Sequence, residues 1–181
     1  MDIKRSHSVL YRFFSGLAEY TFEARLGVAD PPLVDYIALL LTRFVHSDAI
    51  FTVRNPAGRK LEEVAEMLLE ADARIGNPRR EVHRHIGDFT LFWTGVYPEA
   101  LRRLKAASRY DYFVDYCEQG KRAYHIASTI ETEADKAEEN EVLERLSHDF
   151  ELCAYGLGEV RREWERREPD VGPHGPIIIA E

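Results

Sequence analysis

The stretch "HRHIGDFTLFWTGVYPE", His83 to Glu99, sets two imidazoles and a carboxylate just ahead of a run of large aromatics. Advancing about 100° per residue along a helix, Val82, Ile86, Phe89, Phe92, Trp93, Val96 and Tyr97 fall within an arc of about 140°, which makes a core face. His85 lies inside that arc. Glu81 and Asp88 stand at its edge, one turn to either side of His85, so the three line one ridge. His83 points the other way, beside Gly87, Thr90 and Thr94, whose small side chains admit a close neighbour. A mid-helix Gly87 costs about 1 kcal/mol relative to Ala, and a close helix crossing helps offset it. The spacing predicts a helix from about Pro78 to Gly95 that is covered on two sides.

The helical period continues along most of the chain. Leu10, Phe13, Phe14, Leu17 and Thr21 share one face of a first helix, Ser6 to Leu26. Asp30 as N-cap and two prolines in the first turn open a second, "PPLVDYIALLLTRFVH", apolar almost all round and too short to cross a bilayer. Residues Ser47 to Lys60 break the pattern. There "DAIFTV" reads as a short extended piece and "NPAG" as a turn, which makes this the expected functional loop. A third helix, Leu61 to Arg74, uses Leu61, Val64, Ala65, Leu68 and Ile75 as its buried face. Pro98 suits the first turn of a short fifth helix, "PEALRRLKA", beyond a corner at Gly95 to Pro98.

A sixth helix is expected from Tyr110 to Thr132, then an acidic connection, "ETEADKAEENE". The seventh carries a long seam of Leu143, Leu146, Phe150, Cys153, Leu157, Val160 and Trp164. That seam packs along the bundle or pairs with a second copy of the chain. Prolines in "EPDVGPHGPIIIAE" end the helical order, and "IIIA" there is apolar enough to dock onto the body or a partner. The expected fold class is all-α: a single-domain bundle of six or seven helices over residues 1–168, one irregular loop around 47–60, and an irregular tail over 169–181.

With 45% hydrophobic and 31% charged residues, the chain has the profile of a globular protein and not of a disordered one. Its 24 basic and 32 acidic residues give a net charge of −8, which discourages nonspecific attraction to nucleic acid or an anionic membrane. The N-terminus lacks the apolar segment of a secretory signal, and no window approaches the ~20 apolar residues of a membrane span. The expectation is a cytoplasmic location without membrane attachment. Cys117 and Cys153 form no CxxC or Cys/His pattern and read as core.

Two chemistries compete for the Glu81, His85 and Asp88 ridge. In one, a carboxylate accepts from His85 and satisfies a half-buried imidazole. In the other, the three residues bind a metal or cofactor, or act as an acid/base pair. No His has a Glu three residues before it, so the ferritin-like di-iron arrangement is disfavoured, and no HExxH is present. Asp72 is the best further carboxylate, as a partner for the ridge or for an Arg. His125 and His148 fall on polar helix faces.

"YDYFVDYCEQGKRAY" places Tyr112, Phe113, Tyr116 and Tyr124 on one helical face. Tyr112, Tyr116 and Tyr124 are candidate ligand-binding residues, because buried phenols need partners; they either line a pocket, bond to the ridge, or pack as core. Arg79, Arg80, Arg84, Arg102, Arg103, Lys105 and Arg109 cluster near rings, but acids are interspersed and no nucleic-acid-binding motif accompanies them, so a nucleic-acid partner is disfavoured. No phosphate-cradling loop is present.

The segments "GDFTLFWTGVYPE" (Gly87 to Glu99) and "YDYFVDYCEQGKRAY" (Tyr110 to Tyr124) together resemble a family of bacterial helical proteins without an assigned activity. That resemblance implies a soluble helical protein and carries over no catalytic residue. The leading expectation is a non-enzymatic helical module that binds a protein partner, a second copy of itself or a small ligand. The alternative is a metal- or cofactor-dependent enzyme centred on Glu81, His85 and Asp88, its cofactor unspecified.

Overall fold

The computed structural model describes residues 2–132 and 135–167. The all-α class is the one observed: among the described residues there are nine α-helices, a π-helical segment and a 3-10 turn, with one isolated antiparallel bridge between Arg54 and Lys60. The count exceeds seven because the 47–60 region holds a helical turn and the last long helix is two. The tail from residue 168 on, including "IIIA", lies outside the described residues.

The described residues divide into two compact units, 2–50 with 155–167, and those within 51–154. In the first, α1 (Asp2–Ala18) passes into a π-helical segment, Glu19–Arg25, and α2 spans Pro31–Phe44. The Asp30 side chain accepts from Leu33 N–H at 3.2 Å and the prolines occupy the first turn, as the capping rule requires. The π segment widens the chain to i→i+5 bonding, as in Leu26 N–H to Thr21 O at 3.1 Å. Phe22 is fully buried there, its ring against Gly156 at a place where any Cβ would collide with it. The "DAI" of the expected extended piece is instead α3, Ser47–Ile50.

The second unit is organised by α5, Gly76–Gly95. Val82, Ile86, Phe89, Phe92, Trp93 and Val96 are all buried, and Tyr97 is half-buried. The small-residue side is the crossing with α7, Tyr116–Thr129. A Cβ on Gly87 would stand 2.6 Å from the Tyr124 ring, and one on Gly120 would run into Thr90 and Phe150. The other helices of this unit are α4 (Val64–Asp72), α6 (Pro98–Ala107) and α8 (Ala137–His148).

Three boundaries differ from expectation. The third helix begins at Val64, with Met67 and Ala71 on its buried side, while Ile75 is 86% exposed; the helix has ended by then and Gly76 turns the chain at φ +58. Residues 110–115 are not part of the sixth helix: Asp111–Phe113 form a 3-10 turn, and Asp115 caps α7 by accepting from Glu118 N–H at 3.1 Å. Asp149 leaves helical geometry at φ −103, ψ 28 and separates α8 from α9, Phe150–Arg167. The seam stays in phase across that break. Leu143, Leu146, Phe150, Cys153, Leu157 and Val160 are at most 1% exposed, so the chain itself covers these six, and Trp164, the last residue of the seam, is half-buried.

Candidate functional site

The three ridge residues each meet a different environment. Glu81 faces cations: Arg84 at 2.7 Å, Arg80 at 3.2 Å and Lys136 at 3.6 Å. Burial by itself would raise the Glu81 carboxyl, but Arg84, Lys136 and Arg80 together hold it below the usual carboxylate range. Asp88, 1% exposed, accepts from the Tyr124 hydroxyl at 2.8 Å. His85, 9% exposed, has its Nδ1 at 3.3 Å from Thr52 Oγ1 and its ring tilted 6.2 Å from Phe89. Thr52 comes from the loop before α4, a neighbour that no spacing rule on α5 reaches. Among the described residues no three His, Cys, Asp or Glu side chains are grouped so as to hold a metal ion.

The basic residues divide into two populations. Arg80, fully buried, bonds to Asn140 Oδ1 at 2.7 Å and lies 3.5 Å from Glu139, joining α5 to α8 in a network with Arg84 and Lys136. Arg79 pairs loosely with the exposed Asp72 at 3.9 Å, which is the Arg-paired role foreseen for that acid. In contrast, no carboxylate among the described residues lies in ion-pair reach of Arg102, Arg103, Lys105 or Arg109; Lys105 and Arg109 lie over the Tyr116 and Tyr110 rings.

His83 is 2% exposed and neither ring nitrogen has a hydrogen-bond partner. Burial, followed by the positive charge of Arg79, lowers its pKa to about 4, so it is a neutral core imidazole at pH 7. His125 and His148 are exposed, beside Glu144 at 2.9 Å and Asp149 at 2.7 Å. Cys153 is buried and Cys117 half-buried, and the two form no disulfide; burial raises Cys117.

The candidate tyrosines do not share one helical face. Tyr124 bonds to the ridge through Asp88, one of the roles open to it from the sequence. Tyr116, 3% exposed, donates to Asp111 Oδ2 at 2.6 Å. Tyr112 is 58% exposed on the 3-10 turn, edge-on to Phe113 with centroids 4.8 Å apart.

That turn is held by an exchange of carboxylates which spacing alone did not reveal. Asp111, 1% exposed, accepts from Val64 N–H at 2.7 Å and Ala65 N–H at 2.8 Å, capping α4 from a distant part of the chain. Glu63, the residue at the N-cap position, makes no cap bond of its own. Its carboxylate instead accepts from Arg109 and Tyr110 N–H, both at 3.1 Å. Ser108 Oγ accepts from Asp111 N–H at 2.7 Å and closes the turn from inside. Every one of these contacts fixes backbone, and the fixed backbone carries Tyr110, Tyr112 and Phe113 outward at 53%, 58% and 91% exposure. The one signal available beforehand was the Asp115-x-x-Glu118 spacing, a helix-start pattern that would have moved the beginning of α7 past these rings.

No family model, curated protein or solved structure matches the chain. Among the described residues no helix is long and apolar enough to cross a membrane.

Proposed function

We propose that this chain is a non-enzymatic helical module of the bacterial cytoplasm that binds a partner protein through the Tyr110 to Phe113 turn. The observation that carries the reading is a phenylalanine 91% exposed on a turn anchored by a buried carboxylate. Burying such a ring gains about 1.5–3 kcal/mol, and a turn already fixed loses little further freedom on binding. Exposed aromatic residues on a rigid element are the usual anchors of protein interfaces. Glu81, His85 and Asp88 support the non-enzymatic side of the reading, because each is occupied with its own structural neighbours.

A photo-crosslinking residue placed at position 113 in living cells tests this, with the exposed Glu141 on α8 as the control position. The expected result is a discrete protein adduct from position 113 and none from 141. Adducts of equal yield from both positions, or none from 113, would refute it.

A further inference from the structure

We propose that the face formed by Phe113, Tyr112 and the cations Arg102, Arg103, Lys105 and Arg109 receives an acidic protein segment that carries one apolar anchor. This rests on the partner-binding reading and names the chemistry of the partner.

Most other cations in residues 51–154 pair with a carboxylate, among them Arg59 with Glu66 at 2.5 Å, Arg74 with Glu70 at 2.8 Å, Arg84 with Glu81 at 2.7 Å, and Lys121 with Glu151; Arg54 and Arg122 stand singly, whereas the cations of α6 and the segment after it come together in sequence. Four cations within eight residues, on α6 and the segment leading into the aromatic turn, make no side-chain ion pair among the described residues. Arg102 and Lys105 are one helical turn apart and share a stripe, and Arg109 stands between the end of α6 and the turn. A basic patch beside an exposed ring attracts an anion and repels a basic partner.

The rings select among anions. Arg109 lies 5.4 Å over the face of Tyr110, and Tyr112 and Phe113 meet at 86°, so the turn offers no flat series of faces on which successive bases stack. Beyond the rings the surface changes sign, with Glu62, Asp115 and Glu118 exposed. A continuous phosphate chain crossing the turn would meet those acids. A peptide need place its carboxylates only on the α6 side, with one apolar side chain against Phe113.

The test is fluorescence anisotropy of the full chain with four labelled probes: a short Glu-rich peptide with one central Phe, the same peptide with Ala for Phe, a Lys-rich peptide keeping the Phe, and a single-stranded RNA of matched charge. The first probe is expected to bind saturably, at least roughly tenfold more tightly than the other three, and more weakly as salt rises past about 0.15 M. Phe113→Ala and the pair Arg102→Glu with Arg103→Glu are each expected to weaken it about tenfold, with the circular dichroism spectrum and urea midpoint unchanged. RNA binding tighter than the acidic peptide, equal binding with and without the Phe, or no saturable binding would overturn the proposal. If position 113 crosslinks to a partner while the acidic peptide does not bind, the charge class is wrong and the partner-binding reading stands. If there is no crosslink either, both fall.

Discussion

Replacing Asp111 by Ala removes the buried one of the two carboxylates, with Glu63, that tie the start of α4 to the turn before α7. Its two oxygens receive three hydrogen bonds, from Val64 N–H at 2.7 Å, Ala65 N–H at 2.8 Å and the Tyr116 hydroxyl at 2.6 Å. Bonds to an ionised acceptor contribute about 1.5 kcal/mol or more each, so three sum to about 4.5 kcal/mol. The first turn of α4 can fray enough to let water reach the freed N–H groups, which returns part of that, while the buried phenol recovers little. The expected net loss is about 3–4 kcal/mol, a large fraction of the about 5–15 kcal/mol typical of a folded domain. Asp111→Asn keeps one acceptor oxygen and loses the charge, and should cost about half as much. Urea unfolding followed by far-UV circular dichroism measures both, through a lower midpoint at unchanged slope. If Asp111→Ala costs less than about 1 kcal/mol, the size of an ordinary neutral cap, the turn is not held as argued and the preorganisation of Phe113 loses its basis.

Three further outcomes follow from packing and charge. Gly87→Ala should destabilise by up to about 2 kcal/mol in urea unfolding, because overpacking against Tyr124 costs about 1–3 kcal/mol against the about 1 kcal/mol gained in helix propensity, and a variant stabilised by that full about 1 kcal/mol would show that α5 and α7 do not cross so closely. Arg80→Ala should cost about 3–5 kcal/mol by leaving Glu81 and Glu139 short of a buried cation, whereas Arg80→Met, which keeps the volume beside Arg84 and Lys136, should cost less; equal losses would mean that the lost charge and not the lost volume decides there. For His83 the folded pKa, about 4, lies below the ordinary 6.5, so the unfolded chain binds the extra proton between those values. Its stabilising contribution is complete above about pH 6.5 and is lost as pH falls toward 4, by up to about 3 kcal/mol. His83→Gln should flatten the slope of urea stability against pH in that window, and an unchanged slope would refute the buried neutral state.

Much of the architecture was legible from residue order because it rests on local rules. The α5 core face follows from the 3.6-residue period, the start of α2 from Asp30 and its prolines, the corner before α6 from Pro98, and the slot for a neighbouring helix from Gly87. Each of these depends on atoms within a few residues of one another. The break at Asp149 and the helical turn at Ser47–Ile50 escaped because one off-period residue, or four residues of helix, barely alter an apolar pattern.

What surrounds each polar group was decided only by the tertiary structure. Spacing put Glu81, His85 and Asp88 on one ridge, but a side chain's partner is chosen by whichever group from elsewhere satisfies it when water is removed: cations around Glu81, Thr52 for His85, Tyr124 for Asp88. The same holds for Asp111, whose partners at Val64 and Ala65 lie more than forty residues away. Periodicity records which way a residue faces on its own helix, and hydrogen-bond satisfaction across distant segments leaves no periodic trace. The aromatic turn belongs to this second kind of information: as letters Tyr112 and Phe113 continue an apolar helix face, and the exchange of carboxylates between Asp111 and Glu63 holds the turn that carries them outward.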